Sequence, residues 1–429
     1  MTRYTSVYIT LVTAAACVLG FIAQIMVART FGVGASVDAY LATISIPIFL
    51  AATINAAFSY AIVPKIIEAE NDSNSRTKYK SNLVLVTLVC VFLCLLGSFF
   101  VDIQVRGYQG VQIPELRQLF ILGWCVGAVQ IIYGFIYSVL IAKQFFLRGA
   151  FISLCPYIGM LTALIVCQFD PNILYLSIGM LVGILMTIPL TFNSIKEFLV
   201  DSNIGLDVDN LKRMADIGGS IVVGVSALTC FSSYLVVDAY WGPRMGDGVL
   251  SITGYAQRIL TGLGNIVTIG IFTISGPKFK DTLVNHGAKD FKKLVLKFGS
   301  IILFSSVMLA VIMFFGIEIL IQLIFQSETF MPADTLRLST YIRFMLPGMV
   351  FMLISSVLIK ALFCLSQITK MAFFLGVSWP LLYFCFIWLF QAHNLVAISI
   401  SYSITWFIIS ITIVGFLIKT KELSPEVVR

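Results

Sequence analysis

An arginine inside an apolar run is the first residue of this chain that asks for a chemical explanation. Arg258 lies eight residues into the stretch 250–275, and at about 1.5 Å per helical residue it would sit roughly 12 Å inside a membrane. A charge at that depth faces a cavity or a partner. Its guanidinium stays charged in low dielectric and grips phosphate oxygens through two N–H groups at once. The residue is either a structural cation, snorkelling or paired between helices, or a cavity cation that reads an anionic substrate, and the second reading is favoured. Five more charges fall toward the outer side at similar depth: Arg29, Asp38, Asp238, Glu318 and Arg343. Opposite pairs among them, formed across two halves of the chain, would make an outer gate that closes when a cavity opens inward and breaks when it opens outward. Asp38, Asp238 and Glu318 are also the acids near apolar runs that could carry a coupling ion, proton or sodium. Taken singly, Arg29 and Arg343 also read as interfacial snorkelling residues. Lys360 reads more as a snorkelling anchor than as a ligand. Asn55 and Ser59, one helical turn apart, either line the same cavity or join helices by hydrogen bonds, with the structural reading slightly favoured.

The elements that must hold these residues follow from composition. Of 429 residues 59% are hydrophobic and 11% charged, with mean hydropathy +0.99, against roughly a quarter charged in soluble domains. The chain is therefore not a soluble globular protein. About 253 apolar residues, at about 20 per span, suffice for roughly a dozen spans. Uninterrupted apolar stretches predict twelve helices, at 6–28, 38–63, 82–101, 118–141, 149–168, 173–193, 218–240, 250–275, 298–324, 339–363, 371–390 and 395–418. With the N-terminus inside, 20 of the 28 basic residues fall in inner segments and five in outer ones, which is the charge bias of cytoplasmic loops. The net charge of +7 thus reports topology, not a nucleic-acid partner. The reading is a multi-pass membrane protein with both termini inside.

Several other signals resolve against this frame. The string Ala14-Ala15-Ala16-Cys17 imitates a cleavage site, but the apolar run continues well past it. The nine cysteines lie almost wholly in predicted spans, and with two histidines in loops no metal cluster is expected. No P-loop, nucleophile elbow or HExxH is present, and no loop is long enough for a nucleotide-hydrolysing domain, so a transporter without cofactor is expected rather than an enzyme. Helix pairs end at Ala61–Ile66 (AIVPKI) and at Ile274–Phe279 (ISGPKF), half a chain apart. Six spans per half predict parallel repeats about an axis along the membrane normal, with bundles at 1–193 and 218–429 joined by a cytoplasmic linker, 194–217. Mid-span Pro47, Pro156, Pro189, Pro347 and Pro380 free carbonyls and kink helices.

The segment Leu19–Ile66 resembles the opening of the MurJ/MviN-like lipid II flippases, in the superfamily that also holds O-antigen and capsule flippases and multidrug exporters. The resemblance rests on Leu19-Gly20-Phe21, Ala28-Arg29, Phe31-Gly32, Gly34, Asp38-Ala39-Tyr40, Ile46-Pro47, Ala57-Phe58-Ser59 and Val63-Pro64. Tyr255–Leu260 (YAQRIL) looks like the family's Ala-Asp-Arg stretch with Gln257 for the acid, and Leu323–Phe330 (LIFQSETF) resembles its ninth-helix exit. The resemblance implies translocation of an undecaprenyl-pyrophosphate-linked saccharide by alternating access around a cationic cavity, with Arg258 and Asp38 carried over. Cys17, Ala23 and Ala51 stand where the family has cavity arginines, and its two further C-terminal helices have no counterpart here. Those departures lead us to expect a surface-polysaccharide unit, O-antigen or capsule, as cargo, with lipid II second. A multidrug antiporter is disfavoured by Arg258, which repels cationic drugs. A membrane transferase lacks the acid or histidine cluster it would need.

Overall fold

The computed structural model describes residues 3–58, 73–200, 226, 229–363 and 368–419. Ser59, one of the candidate cavity residues, lies outside them, as do the first Pro-Lys exit and most of the expected linker. Every regular element among the described residues is helical, as a chain with no water to satisfy its backbone requires. Ten helical segments there are long and apolar enough to cross a membrane. By contacts the chain divides into two compact units, residues 1–251 and 252–429.

The first unit contains α1 (Arg3–Phe31), α2 (Ala35–Ala57), α3 (Ser73–Leu96), a short α4 (Val101–Gly107), α5 (Leu116–Ala142), α6 (Phe146–Ile152), α7 (Cys155–Cys167), α8 (Leu174–Leu185), α9 (Thr187–Val200), α10 (Tyr234–Met245) and the start of α11 (Val249–Asn285). α1 runs unbroken through Cys17. The unit's centre is the pair α2 and α5, which meet at glycines. A Cβ on Gly123 would stand 2.6 Å from the Thr43 carbonyl oxygen, one on Gly127 2.6 Å from Pro47, and one on Gly134 would overlap Asn55. Lipid is as apolar as leucine, so membrane helices associate by such close backbone approach and by hydrogen bonds across the seam. Asn55 supplies one, donating its amide to the Gln130 carbonyl at 2.9 Å. α10 packs on α2 in the same unit.

The second unit holds the rest of α11, then α12 (Gly287–Ile324), α13 (Pro332–Phe363), α14 (Ile368–Phe390) and α15 (Leu395–Lys419). α11 continues helically through Pro277 to Asn285, so the predicted exit at Pro-Lys does not end the helix. α12 has 38 residues, about 57 Å at 1.5 Å each against a hydrocarbon core near 30 Å. Its lysine-bearing first turns, with Lys289, Lys292, Lys293 and Lys297, therefore stand clear of the apolar layer. α13 and α15 are the most intimate pair. Next to Pro347, the Ser403 hydroxyl is inserted in the α13 ladder, donating to the Phe344 carbonyl at 2.7 Å and accepting from the Gly348 N–H at 3.0 Å. One heptad on, Ser410 reaches the Phe351 carbonyl at 3.1 Å and the Ser355 hydroxyl at 2.7 Å. Trp379, Tyr383, Tyr402 and Trp406 fill the interior beside them.

Candidate functional site

In the first unit, the turn after α1 and the turn after α10 converge on one carboxylate. Gly32 takes a positive φ of 66° to end α1, and Gly246 and Gly248 take 133° and 75° between α10 and α11. These are conformations that suit glycine. At Gly248 a side chain is excluded twice, since its Cβ would also strike Val33 at 2.4 Å. The turn thereby aims backbone N–H groups at Asp38, in the first turn of α2, which is 3% exposed. Its oxygens accept from Gly248 N–H at 2.8 Å, from Ser251 N–H at 2.6 Å and from the Ser251 hydroxyl. Asp38 thus caps the N-terminus of a helix from another part of the chain, satisfying orphan donors and meeting the positive end of its dipole. The separation of Asp38 and Ser251 is 213 positions, the same offset that relates Lys65 to Lys278, so the two residues hold matching places in the sequence repeat.

Tyr108, in the segment after α4, folds over Gly110 and carries its hydroxyl close enough to Asp38 and Asp247 to feel their charge. That hydroxyl is buried with no hydrogen-bond partner among the described residues. Burial, with the two acids adding, holds its pKa well above the ordinary phenol range. Arg29 is exposed at the end of α1, and Asp238 is 2% exposed on α10.

In the second unit Arg258 lies nine residues past the start of α11 and is exposed, whereas Tyr255, Ala256, Ile259 and Leu260 are buried. Tyr255 anchors this stretch against Phe325 and Phe330 at ring distances of 6.0 and 6.1 Å. Arg258 has no hydrogen bond or ion pair among the described residues. Gln257 beside it is buried with its amide nitrogen unpartnered among those residues.

One expectation about these charges changes. Glu318 and Arg343 pair with each other inside the second unit, at 2.9 Å, with the arginine Nε also on the Phe314 carbonyl at 3.2 Å. That is a tie between α12 and α13, not a pair across halves of the chain. Asn55 bonds across the α2–α5 seam, which is the structural reading already favoured for it. Lys360 sits half-buried in the last turn of α13. Sequence reasoning named Asp38 but missed its partners. The Gly246-Asp247-Gly248 turn and a serine two residues into the following helix were the available signal. Among the described residues no three His, Cys, Asp or Glu side chains come together as metal ligands.

The profile of the family described as "Lipid II flippase MurJ" matches residues 27–426 of this chain. The chain belongs to the MurJ family. A "Probable lipid II flippase MurJ" of Buchnera aphidicola subsp. Baizongia pistaciae is 24% identical over 433 residues, spanning 94% of this chain and 81% of the relative. The protein of the same description from Buchnera aphidicola subsp. Acyrthosiphon pisum is 24% identical over 384 residues, 84% of this chain and 73% of that one. In fold, the chain is similar to a solved "Lipid II flippase MurJ, inward closed conformation", with TM-score 0.78, 19% identity and coverage of 96% of this chain and 87% of that one. It is also similar to an inward-facing multidrug resistance MATE family transporter of the MOP superfamily, with TM-score 0.74, 13% identity and coverage of 95% and 96%.

The all-helical, multi-pass architecture expected of this MurJ-family chain is what these likenesses show, and the family is one of transporters. The expected cargo is corrected. Membership in the lipid II flippase family overturns the surface-polysaccharide reading and favours the one placed second. Of the three positions that carried the expectation, Cys17 is exposed on α1, while the physical reason applies to Ala23 and Ala51, which are buried at 1% and 0% exposure. Their small side chains serve helix packing, so smallness there does not report a different headgroup.

Proposed function

We propose that this MurJ-family chain moves lipid II, the undecaprenyl-pyrophosphate-linked peptidoglycan precursor, from the inner to the outer leaflet of the cytoplasmic membrane by alternating access, with both termini in the cytoplasm. The family match over residues 27–426 carries the reading, and Arg258 supplies the chemistry. A free guanidinium on a membrane helix attracts a pyrophosphate and gives it two parallel N–H donors. The same charge repels a cationic drug.

Asp38 acts in this reading as the latch of the outer end. While its carboxylate holds the Gly248 and Ser251 N–H groups, the start of α11 stays docked on α2, and release of those bonds frees it. Arg29, exposed at the end of α1, adds a second cation to the outer path. Asp238, buried on α10, is the acid we assign to a coupling proton or sodium.

The test is mass spectrometry of undecaprenyl-linked intermediates in cells depleted of this chain. Accumulation of the peptide-bearing disaccharide, reversed by the wild-type chain and not by Arg258→Ala, is expected. Accumulation of a peptide-free oligosaccharide, or of no lipid-linked intermediate, would refute the proposal.

A further inference from the structure

In the first unit, away from Asp38 and Arg258, α7 and the α8–α9 pair leave a groove between them of about 570 Å³. Its walls are Ile158, Thr162 and Val166 on one side and Val182, Met186 and Leu190 on the other. All belong to candidate membrane spans. A membrane helix, a cylinder about 10 Å across and 30 Å long, fills roughly 2,400 Å³, so the groove suits a flexible chain rather than a helix.

At one end the groove leads to a cationic cluster. Ser194 follows Leu190 by one turn of α9, and two cations converge on it: Arg148 donates to its hydroxyl, and Lys143 to its carbonyl at 3.4 Å. The Arg148 guanidinium also lies over the Phe145 ring at 5.0 Å. The turn that presents Lys143 is fixed by Gln144 at φ 60° and by the Phe145 N–H on the Leu140 carbonyl at 2.8 Å. Lys196 is exposed on the same helix as Ser194, followed in sequence by Glu197. Loop charge assigns this end to the cytoplasm. An apolar groove in the bilayer that ends in cations at headgroup level is complementary to an anionic lipid.

We propose that this groove is a binding site for an anionic phospholipid of the inner leaflet, one acyl chain lying between α7 and α8–α9 and its phosphate held by Arg148 and Lys143. The site is separate from the transport path and does not depend on the identity of the cargo.

The test is native mass spectrometry of the full chain in detergent, titrated with phosphatidylglycerol or with phosphatidylcholine of the same acyl chains. Preferential binding of phosphatidylglycerol is expected. The pair Arg148→Gln and Lys143→Gln should reduce that preference by about fivefold per cation, and Thr162→Trp should lower binding of both lipids by filling the groove. A control pair on α12, Lys292→Gln and Lys293→Gln, should change nothing. Equal binding of the two lipids, or an equal loss from the control pair, would overturn the proposal. Displacement of phosphatidylglycerol by an equimolar polyprenyl phosphate would also overturn it, reassigning the site to the substrate's carrier. Thermal melting of each variant separates lost binding from lost folding.

Discussion

Replacing Asp38 with asparagine gives the sharpest test of the latch. The wild-type carboxylate accepts from two backbone N–H groups, at 2.8 and 2.6 Å, and from one hydroxyl. Charge-assisted bonds of this kind each contribute about 1.5–3 kcal/mol net. Asparagine keeps one acceptor oxygen and turns an NH₂ toward a backbone donor, so at least one N–H is left buried and unpaired, and the negative charge at the helix N-terminus is gone. A loss of about 3 kcal/mol follows, which at 1.4 kcal/mol per tenfold is roughly 150-fold in the equilibrium for undocking the start of α11. Amide hydrogen exchange over residues 246–255, measured by mass spectrometry on the full chain, reads this directly. Exchange there should accelerate by about two orders of magnitude, while peptides from α15 stay unchanged. Ser251→Ala removes only the hydroxyl and should give about tenfold, from about 1.5 kcal/mol. If Asp38→Asn changes exchange over 246–255 by less than Ser251→Ala does, Asp38 is not what docks the helix.

Four further outcomes are expected. Gly134→Ala places a methyl on Asn55 and should cost about 1–3 kcal/mol as an overpacked seam, seen as a lower melting temperature, with Asn55→Ala in the same chain restoring part of it. Ser403→Ala, by deleting the hydroxyl inserted beside Pro347, should cost about 1 kcal/mol and raise hydrogen exchange at Gly348. Tyr108→Phe should leave stability at neutral pH unchanged or slightly improved, because the hydroxyl it removes has no partner among the described residues. Since burial raises the Tyr108 pKa, the unfolded chain releases that proton first as pH climbs past about 10. Wild type should therefore lose stability above that pH, and Tyr108→Phe should lose less, in melts compared at pH 9 and pH 11. Arg258→Lys keeps the charge and loses the fork, so in cells depleted of the wild type it should clear lipid-linked precursor faster than Arg258→Ala and well below the wild-type rate.

Much of the architecture was legible in the sequence because membrane solvation leaves so few options. An apolar run of twenty residues can do little but span. Arg258 and Asp38 were legible for the same reason, as charges where charge is costly. The partners were not. Hydrophobicity carries no signal for Ser251 and Gly248 reaching a carboxylate 213 positions away, nor for Arg343 choosing Glu318 on the adjacent helix rather than an acid elsewhere. Asn55 suited both a cavity and a seam, with the seam slightly favoured, and Gly134 lies against it there. The cargo was misread because Cys17, Ala23 and Ala51 were weighed as the chemistry of a different headgroup, when the two alanines are buried and act as space.

The glycines at the α2–α5 seam have one more consequence. With backbone close to backbone at Gly123 and Gly127, and the Asn55 side chain seated on Gly134, the two helices mesh like gear teeth. A slide by one turn would set side chains against the places that now admit none. Shape change in the first unit is therefore confined to rotation at its turns, where Gly32, Gly246 and Gly248 already occupy the left-handed half of backbone space, so the unit behaves as a stiff lever on glycine joints rather than as a deformable wall.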